Sequence, residues 1–438
     1  MQANYRKLFE KAPEYLAISL WKPNFLFTKA KGSKIWLNDK PYLDFACGPG
    51  VANVGHNHPE ILGAVIDIFR RCESGWGGNM LLNKYQIMLA EKLCRLTPGK
   101  FPKRVFFSNS GGEAVEAAIL ACLKKRPDRR GMVSFIGDFH GRLGFSREAT
   151  TSRQMHFEKM PWGIEKKFFL TFPADNPETP SKKAFADVLS TPEKYMSYVE
   201  NTIGPFINEI GFANFELVEG EGGINMARKE MIQALIRYLR KNEVWVIVDE
   251  VQTGLGRTGR MWASDIYEVE PDIMTIAKAL SGGVVPIGAT VMREDLSYIN
   301  PGEHCNTFGA GPAACGAGLA VLDIIQKEGL VKRSETKGTL LRERLASVKD
   351  EHKQTRELVS DVSGCGLMNR ITFRDAGGMP ASEVRNTVLA EAMNSGLFLM
   401  SAGERSIRLM PPLTISDGEM TKAIKTLVTT ISRVHARL

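Results

Sequence analysis

The 438-residue chain is poor in the features that mark several protein classes. Its seven cysteines, at positions 47, 72, 94, 122, 305, 315 and 365, form no CxxC pair, and several fall in apolar helical patterns. They read as reduced thiols of a cytoplasmic protein, which excludes a disulfide scaffold. Among the seven histidines the only close pair is the HNH of 56–58. No cluster of His, Cys and carboxylates has ligand spacing, so no metal is expected. The opening MQANYRKLFEKAPEYL has no signal-peptide apolar core, and no run approaches the ~20 apolar residues of a membrane span. Internal repeats and low-complexity stretches are missing, and the excess of 57 Lys and Arg over 49 Asp and Glu is scattered, without the basic tracts of a nucleic-acid binder.

What the chain does have is apolar mass: 43% of residues are hydrophobic, enough for a large core and two domains around one site. Short continuous apolar runs alternate with helix-length amphipathic stretches: RVFFSNS, GMVSFIG, ANFELVEG, VWVIVDE, DIMTIAK and IGATVMR. Continuous apolarity marks strands covered on both faces, hence an α/β fold with a mostly parallel sheet. This large domain is expected over 61–325. A smaller α+β domain is expected from both termini, 1–60 and 326–438. It would contain a hairpin in SKIWLNDKPYLDFACG, the charged helix VKRSETKGTLLRERLASVKDEH, and strands in LMNRITF and RSIRLMP. The interval 173–212, rich in Pro, Lys and Glu, reads as an insertion carrying a helix or two.

The stretch DEVQTGLGRTG, residues 249–259, admits three readings. A dinucleotide loop needs its first glycine directly after the strand and a helix opening on the third, but DEVQT intervenes and no convincing helix begins at RTGRMWA. An ATPase strand needs a GxxxxGK[ST] loop elsewhere, and the chain contains none. The third reading makes Asp249 the partner of a heterocyclic cofactor nitrogen, and GLGRTG then a turn-rich connection. It requires a lysine, and Lys278 in MTIAKALSGG ends the next strand. It requires a phosphate seat, and NSGGEAVEAAILACL supplies a glycine turn followed by a helix. It requires an aromatic partner, and Phe139 in GDFHGR follows another strand. All four fall at the carboxyl ends of successive strands, where open α/β sheets bind ligands. Together they describe a pyridoxal phosphate site.

With these motifs in order the chain resembles the class III aminotransferases, fold-type-I pyridoxal-phosphate enzymes. The resemblance runs from YLDFACGPGVANVGHNHPEILGAV through FFSNSGGEAVEAA, FHGR, EGEGG, DEVQTGLGRTG, the Lys278 segment and NTFGAGP to IRLMPPLTIS. It implies that Lys278 is the lysine joined to the cofactor and the base that moves protons, that Asp249 faces the pyridine nitrogen, and that Gln252 lies near the ring hydroxyl. Val251 and His140 count among the cofactor contacts, His140 as a structural neighbour of Phe139. Ser110, Gly111 and Gly112 match the phosphate loop, with glycine where the family usually carries Thr, Ser or Ala at position 112. Thr307 matches a threonine that reaches the phosphate of the neighbouring subunit, which implies a homodimer with shared sites, and leaves room for a higher oligomer.

Substrate choice is implied by arginines, because a guanidinium grips a carboxylate with two bonds. Arg142 matches the arginine that holds the carboxylate far from the reacting amine, and Arg408 the one that holds the α-carboxylate of 2-oxoglutarate. Glu216 matches the glutamate that covers this second arginine when an ω-amine is bound, although Leu217 and Glu219 stand where the family usually has Pro and Gln. The resemblance thus implies transfer of the terminal amino group of an ω-amino or basic amino acid to a 2-oxo acid by a ping-pong cycle. FHGRLGF is similar to the lysine 6-aminotransferases, and the whole pattern suits 4-aminobutyrate enzymes equally. Two rivals differ in class. A racemase or isomerase of the same fold would need no keto acid, and a non-enzymatic amine sensor could dispense with Lys278 and Asp249.

Overall fold

In the computed structural model, which describes residues 3–17, 25–75, 80–152, 163–174, 185–298, 300 and 302–438, the apolar runs of the middle of the chain gather into one sheet. Ahead of it the N-terminal segment forms an antiparallel meander of β1 (Phe27–Lys31), β2 (Lys34–Leu37) and β3 (Lys40–Asp44). Asn38 and Asp39 make the β2–β3 turn, both left-handed at φ 50° and 62°, the backbone that a two-residue hairpin loop needs to match strand twist.

The central sheet holds β4 (Lys103–Ser108), β5 (Gly131–Ile136), β6 (Lys167–Thr171), β7 (Ile210–Phe215), β8 (Trp245–Asp249), β9 (Ile273–Ile276) and β10 (Gly288–Arg293), in the order β4-β10-β9-β8-β7-β5-β6. The pairs from β9 through to β6 are parallel, and β10 runs antiparallel to both β4 and β9. β7 and β9 are buried along their whole length, which is why their sequences do not alternate. β6 is absent from the expected strands. Its KFFLT leaves Lys167 exposed and both phenylalanines only partly covered, as befits the sheet edge it occupies. The expected strand ANFELVEG ends at Phe215, so its carboxylates leave the sheet.

Residues 175–184 of the proposed insertion lie outside the described residues. The rest is core material: Thr191 caps the helix Pro192–Ile203, whose Tyr195, Val199 and Ile203 are buried with Phe172 and Phe215, and the interval ends inside β7. Beyond the long helix Leu330–Glu351 come β11 (Val359–Cys365), β12 (Met368–Phe373), β13 (Leu397–Phe398), β14 (Met400–Ala402) and β15 (Ser406–Leu409). Four of these form a sheet in the order β11-β12-β15-β14, in which Arg370 and Arg408 are cross-strand partners. The fifth, β13, pairs in parallel with β3, so the two ends of the chain share a sheet.

GLGRTG is more than a connection. Arg257 is fully buried and donates to the carbonyls of Leu367 (2.9 Å) and Pro411 (2.6 Å), to Asn53 Oδ1 (2.6 Å) and to Cys47 Sγ (3.4 Å). One side chain thereby ties the loop after β8 to both terminal segments.

Candidate active site

The carboxyl ends of β5, β7, β8 and β9 surround a cavity of about 140 Å³ into which Lys278, Asp249, Gln252, Phe139, His140 and Glu216 all face. Asp249 is the last residue of β8. Its Oδ1 accepts the Val251 N–H at 2.9 Å, and its Oδ2 lies 2.8 Å from His140 Nδ1. The other imidazole nitrogen is 3.4 Å from Asp138 Oδ2. Burial opposes a charge on His140, yet the two carboxylates outweigh it and lift the imidazole from 6.5 to about 10. Asp138 is held at about 6, raised chiefly by burial. His140 is therefore the cation behind Asp249, a function that sequence alone did not reveal because the Asp138-Phe139-His140 turn meets β8 only in three dimensions.

Lys278 follows β9 with φ +42°, a left-handed backbone that costs a non-glycine residue roughly 1–3 kcal/mol and persists only where surroundings over-determine it. Burial pushes its ammonium down, against the pull of Glu221, Glu216 and Asp249, so the neutral, nucleophilic amine is favoured relative to an ordinary lysine.

Ser110 caps the helix Gly111–Lys125, its hydroxyl accepting the Glu113 N–H at 3.2 Å, and this leaves the first-turn amides of Gly111 and Gly112 at the helix's electropositive end. A Cβ on Gly111 would sit 2.9 Å from Val251 Cγ1, so the close packing of that turn on Val251 requires glycine. At Gly112 the nearest atom would be Leu143 Cδ1 at 3.4 Å, ordinary contact, so the position has room for a small side chain. Gln252 reaches Pro49 O at 3.5 Å with Nε2, while its buried Oε1 has no partner among the described residues. Arg142 is exposed beside the cavity, its guanidinium 5.7 Å from the Phe139 ring centre. Thr307 is exposed on the segment before the helix Pro312–Lys327 and does not line the cavity of its own chain.

The expected cover on Arg408 needs correction. Arg408 is fully buried on β15, donates from Nε to Ser401 O at 2.9 Å, and is paired through Nη2 with Glu221 Oε1 at 2.7 Å. Glu216 is engaged elsewhere: its carboxylate accepts the N–H groups of Phe139 and Gly220, each at 3.0 Å, and burial with Asp138 and Asp249 nearby raises its pKa well above the usual range. The reason is reach. Glu216 leaves β7 directly and turns to the end of β5, whereas Glu221 sits five residues out on a loop that approaches the C-terminal sheet. The signal was present in EGEGG, because glycines flanking a carboxylate mark the stretch that must approach another backbone. Sequence reading also missed Asp138, and it marked Glu219 only as a departure from the family pattern; Glu219 is buried and accepts from Asn225 Nδ2.

The donor set fits pyridoxal phosphate: a buried amine of depressed pKa, a carboxylate backed by an imidazolium, a helix N-terminus with glycine-thin packing, and a buried acceptor on Gln252 that has no partner among the described residues. The model of the family described as aminotransferase class-III matches residues 17–431. An acetylornithine aminotransferase of Caldanaerobacter subterraneus subsp. tengcongensis is 31% identical, with 96% of this chain and 98% of the relative covered. A probable 4-aminobutyrate aminotransferase of Bacillus subtilis is 32% identical over 92% of each. The crystal structure of a Bacillus anthracis aminotransferase superposes with a TM-score of 0.86 at 27% identity, covering 99% of both chains.

Proposed function

Because the chain belongs to the class-III aminotransferases, a pyridoxal-phosphate-dependent family, we propose that it moves the terminal amino group of an ω-amino or basic amino acid to 2-oxoglutarate. The observation that carries this reading is the Glu221–Arg408 pair beside Lys278. A pocket that must hold first an uncharged CH₂ and then a carboxylate at one place needs a guanidinium whose charge is neutralised in one case and released in the other. A movable glutamate supplies that without leaving a buried cation unpaired. Nη1 of Arg408 is buried with no protein partner among the described residues, which leaves a donor for the incoming carboxylate.

When bound, the cofactor supplies an electron sink for the carbon that loses and regains its proton. The chain's residues do the rest. Lys278, with its depressed pKa, takes and returns that proton. Asp249, backed by the His140 cation, would face the pyridine nitrogen. Ser110, Gly111 and Gly112 seat the phosphate, Phe139 covers the ring, and Val251 and Gln252 pack beside it. Arg142 binds the distal carboxylate of the donor. Thr307 acts in the site of a second copy, so the active form is a homodimer. The exposed Met80, Leu81, Leu82, Ile87, Met88 and Phe308 support this with apolar surface to bury. Residues 61–325 act as the cofactor-binding domain and 1–60 with 326–438 as the smaller one. The seven cysteines are all free, in keeping with a cytoplasmic location.

The test is the donor half-reaction without keto acid, followed by cofactor absorbance as 4-aminobutyrate, ornithine, lysine, acetylornithine and α-amino acids are added in turn. Conversion to the pyridoxamine form by an ω-amine is the expected result. No conversion by any donor, together with loss of optical activity in an amino acid, would make the protein a racemase.

A further inference from the structure

We propose that Arg370 is a positioning residue which, through Asn225, holds the loop carrying Glu221 and so sets how readily Glu221 leaves Arg408. The inference rests on the reading of Glu221 and Arg408 given above. Arg370 is only 6% exposed, on β12 directly across from Arg408. Its Nε and Nη2 are anchored on Asp361 Oδ2 at 3.3 and 3.1 Å, within the C-terminal sheet. Its Nη1 crosses to the loop, donating to Gly223 O at 3.2 Å and to Asn225 Oδ1. Asn225 in turn donates to Gly222 O at 3.0 Å and to Glu219. The residues on either side of Glu221 are thus fastened to a cation fixed on the strand next to Arg408, and Asn225 relays that cation toward the buried carboxylate of Glu219.

The loop has reason to need fastening. Ile224 is β-branched yet left-handed at φ +53°, a backbone that a free chain would relax. On its other side the Gly403 N–H donates to Glu221 O at 2.7 Å, pinning the backbone of Glu221 while its side chain lies on Arg408. Without Arg370 or Asn225 the strained segment relaxes and the closed position of Glu221 loses its advantage. Arg408 is then uncovered more of the time, which favours ligands that bring a carboxylate there and disfavours those that bring CH₂.

Glutarate and valerate, inert acids of equal length, report on this directly, since only glutarate carries a second carboxylate. Their dissociation constants from the holoenzyme would be measured by calorimetry for Arg370→Met, Asn225→Ala, Arg370→Lys and, as the reference, Glu221→Ala. In the first two variants the ratio of the valerate to the glutarate constant rises by about fivefold or more, the lower end of ordinary coupling between sites. Arg370→Lys, which keeps the charge but not the fork, falls between them and the parent. Weakening of both acids together, or a lowered Tm with the ratio unchanged, overturns the proposal. An unchanged ratio in Glu221→Ala overturns the reading of Arg408 itself. A shift in that variant without one in Asn225→Ala removes the brace alone, and Asn225→Ala decides the matter if Arg370→Met does not fold.

Discussion

The two adjacent glycines that open the helix Gly111–Lys125 differ in what they tolerate. Gly111→Ala drives a Cβ into Val251, and the turn must open to admit it, so cofactor affinity measured by fluorescence titration falls by roughly tenfold or more, about 1.4 kcal/mol. Gly112→Ala meets only ordinary contact with Leu143 and leaves that affinity within about twofold, a difference below 0.5 kcal/mol. Equal loss in both variants would show that the turn is not packed on Val251. His140 makes a second residue-scale statement. Its pKa is raised from 6.5 to about 10 in the folded chain, so its proton is bound in the native state where the unfolded chain has released it. The associated stabilisation is complete below about pH 6.5 and is lost as pH rises through about 10, an effect on the order of a few kcal/mol. Urea unfolding between pH 6 and 10 is therefore expected to fall more steeply for the parent than for His140→Asn. Parallel curves would mean that His140 is neutral.

At the scale of elements, strands covered on both faces were legible and the contacts between distant loops were not. VWVIVDE and DIMTIAK announce β8 and β9, and with them Asp249 and Lys278, because burial on both faces forces continuous apolarity. KFFLT was missed since an edge strand carries no such constraint. Assigning the cover of Arg408 to Glu216 failed for another reason: of three nearby carboxylates, the one that reaches a strand almost two hundred residues on is marked in the sequence only by the glycines flanking Glu221. Arg257 is the clearest case. Within GLGRTG it reads as one more polar turn residue, and its four partners lie at 47, 53, 367 and 411. Arg257→Ala strips those buried acceptors of their donor and leaves a void, so a loss of about 3–5 kcal/mol in urea unfolding is expected. A loss under about 1 kcal/mol, the size of a surface substitution, would show that the clamp is dispensable.

For the whole molecule the informative residue is Thr307, which is exposed and does not line the cavity of its own chain. If it serves a second copy, Thr307→Val weakens cofactor binding by about tenfold, the size of one lost hydrogen bond to a charged group, while leaving the melting of the apo chain unchanged. Sedimentation should show dimers at the concentrations where the parent holds its cofactor. A monomer that retains the cofactor, or an indifferent Thr307→Val, would remove the shared site.

The parallel pairing of β3 with β13 also has a temporal side. β3 ends at Asp44 and β13 begins at Leu397, so on a ribosome adding about 5–20 residues per second the N-terminal meander is made roughly 20–70 seconds before its neighbour. Through that interval β3 presents an unsatisfied edge of N–H and C=O groups, the kind of edge that recruits other strands. Lys278 and Asp249 have by then been synthesised, whereas Arg408 has not. The nascent chain therefore holds Lys278 and Asp249 well before the strand that carries Arg408. A ribosome-bound fragment ending before β13 should expose the β3 edge to chaperones and cross-pairing, and release of the last strands should withdraw it.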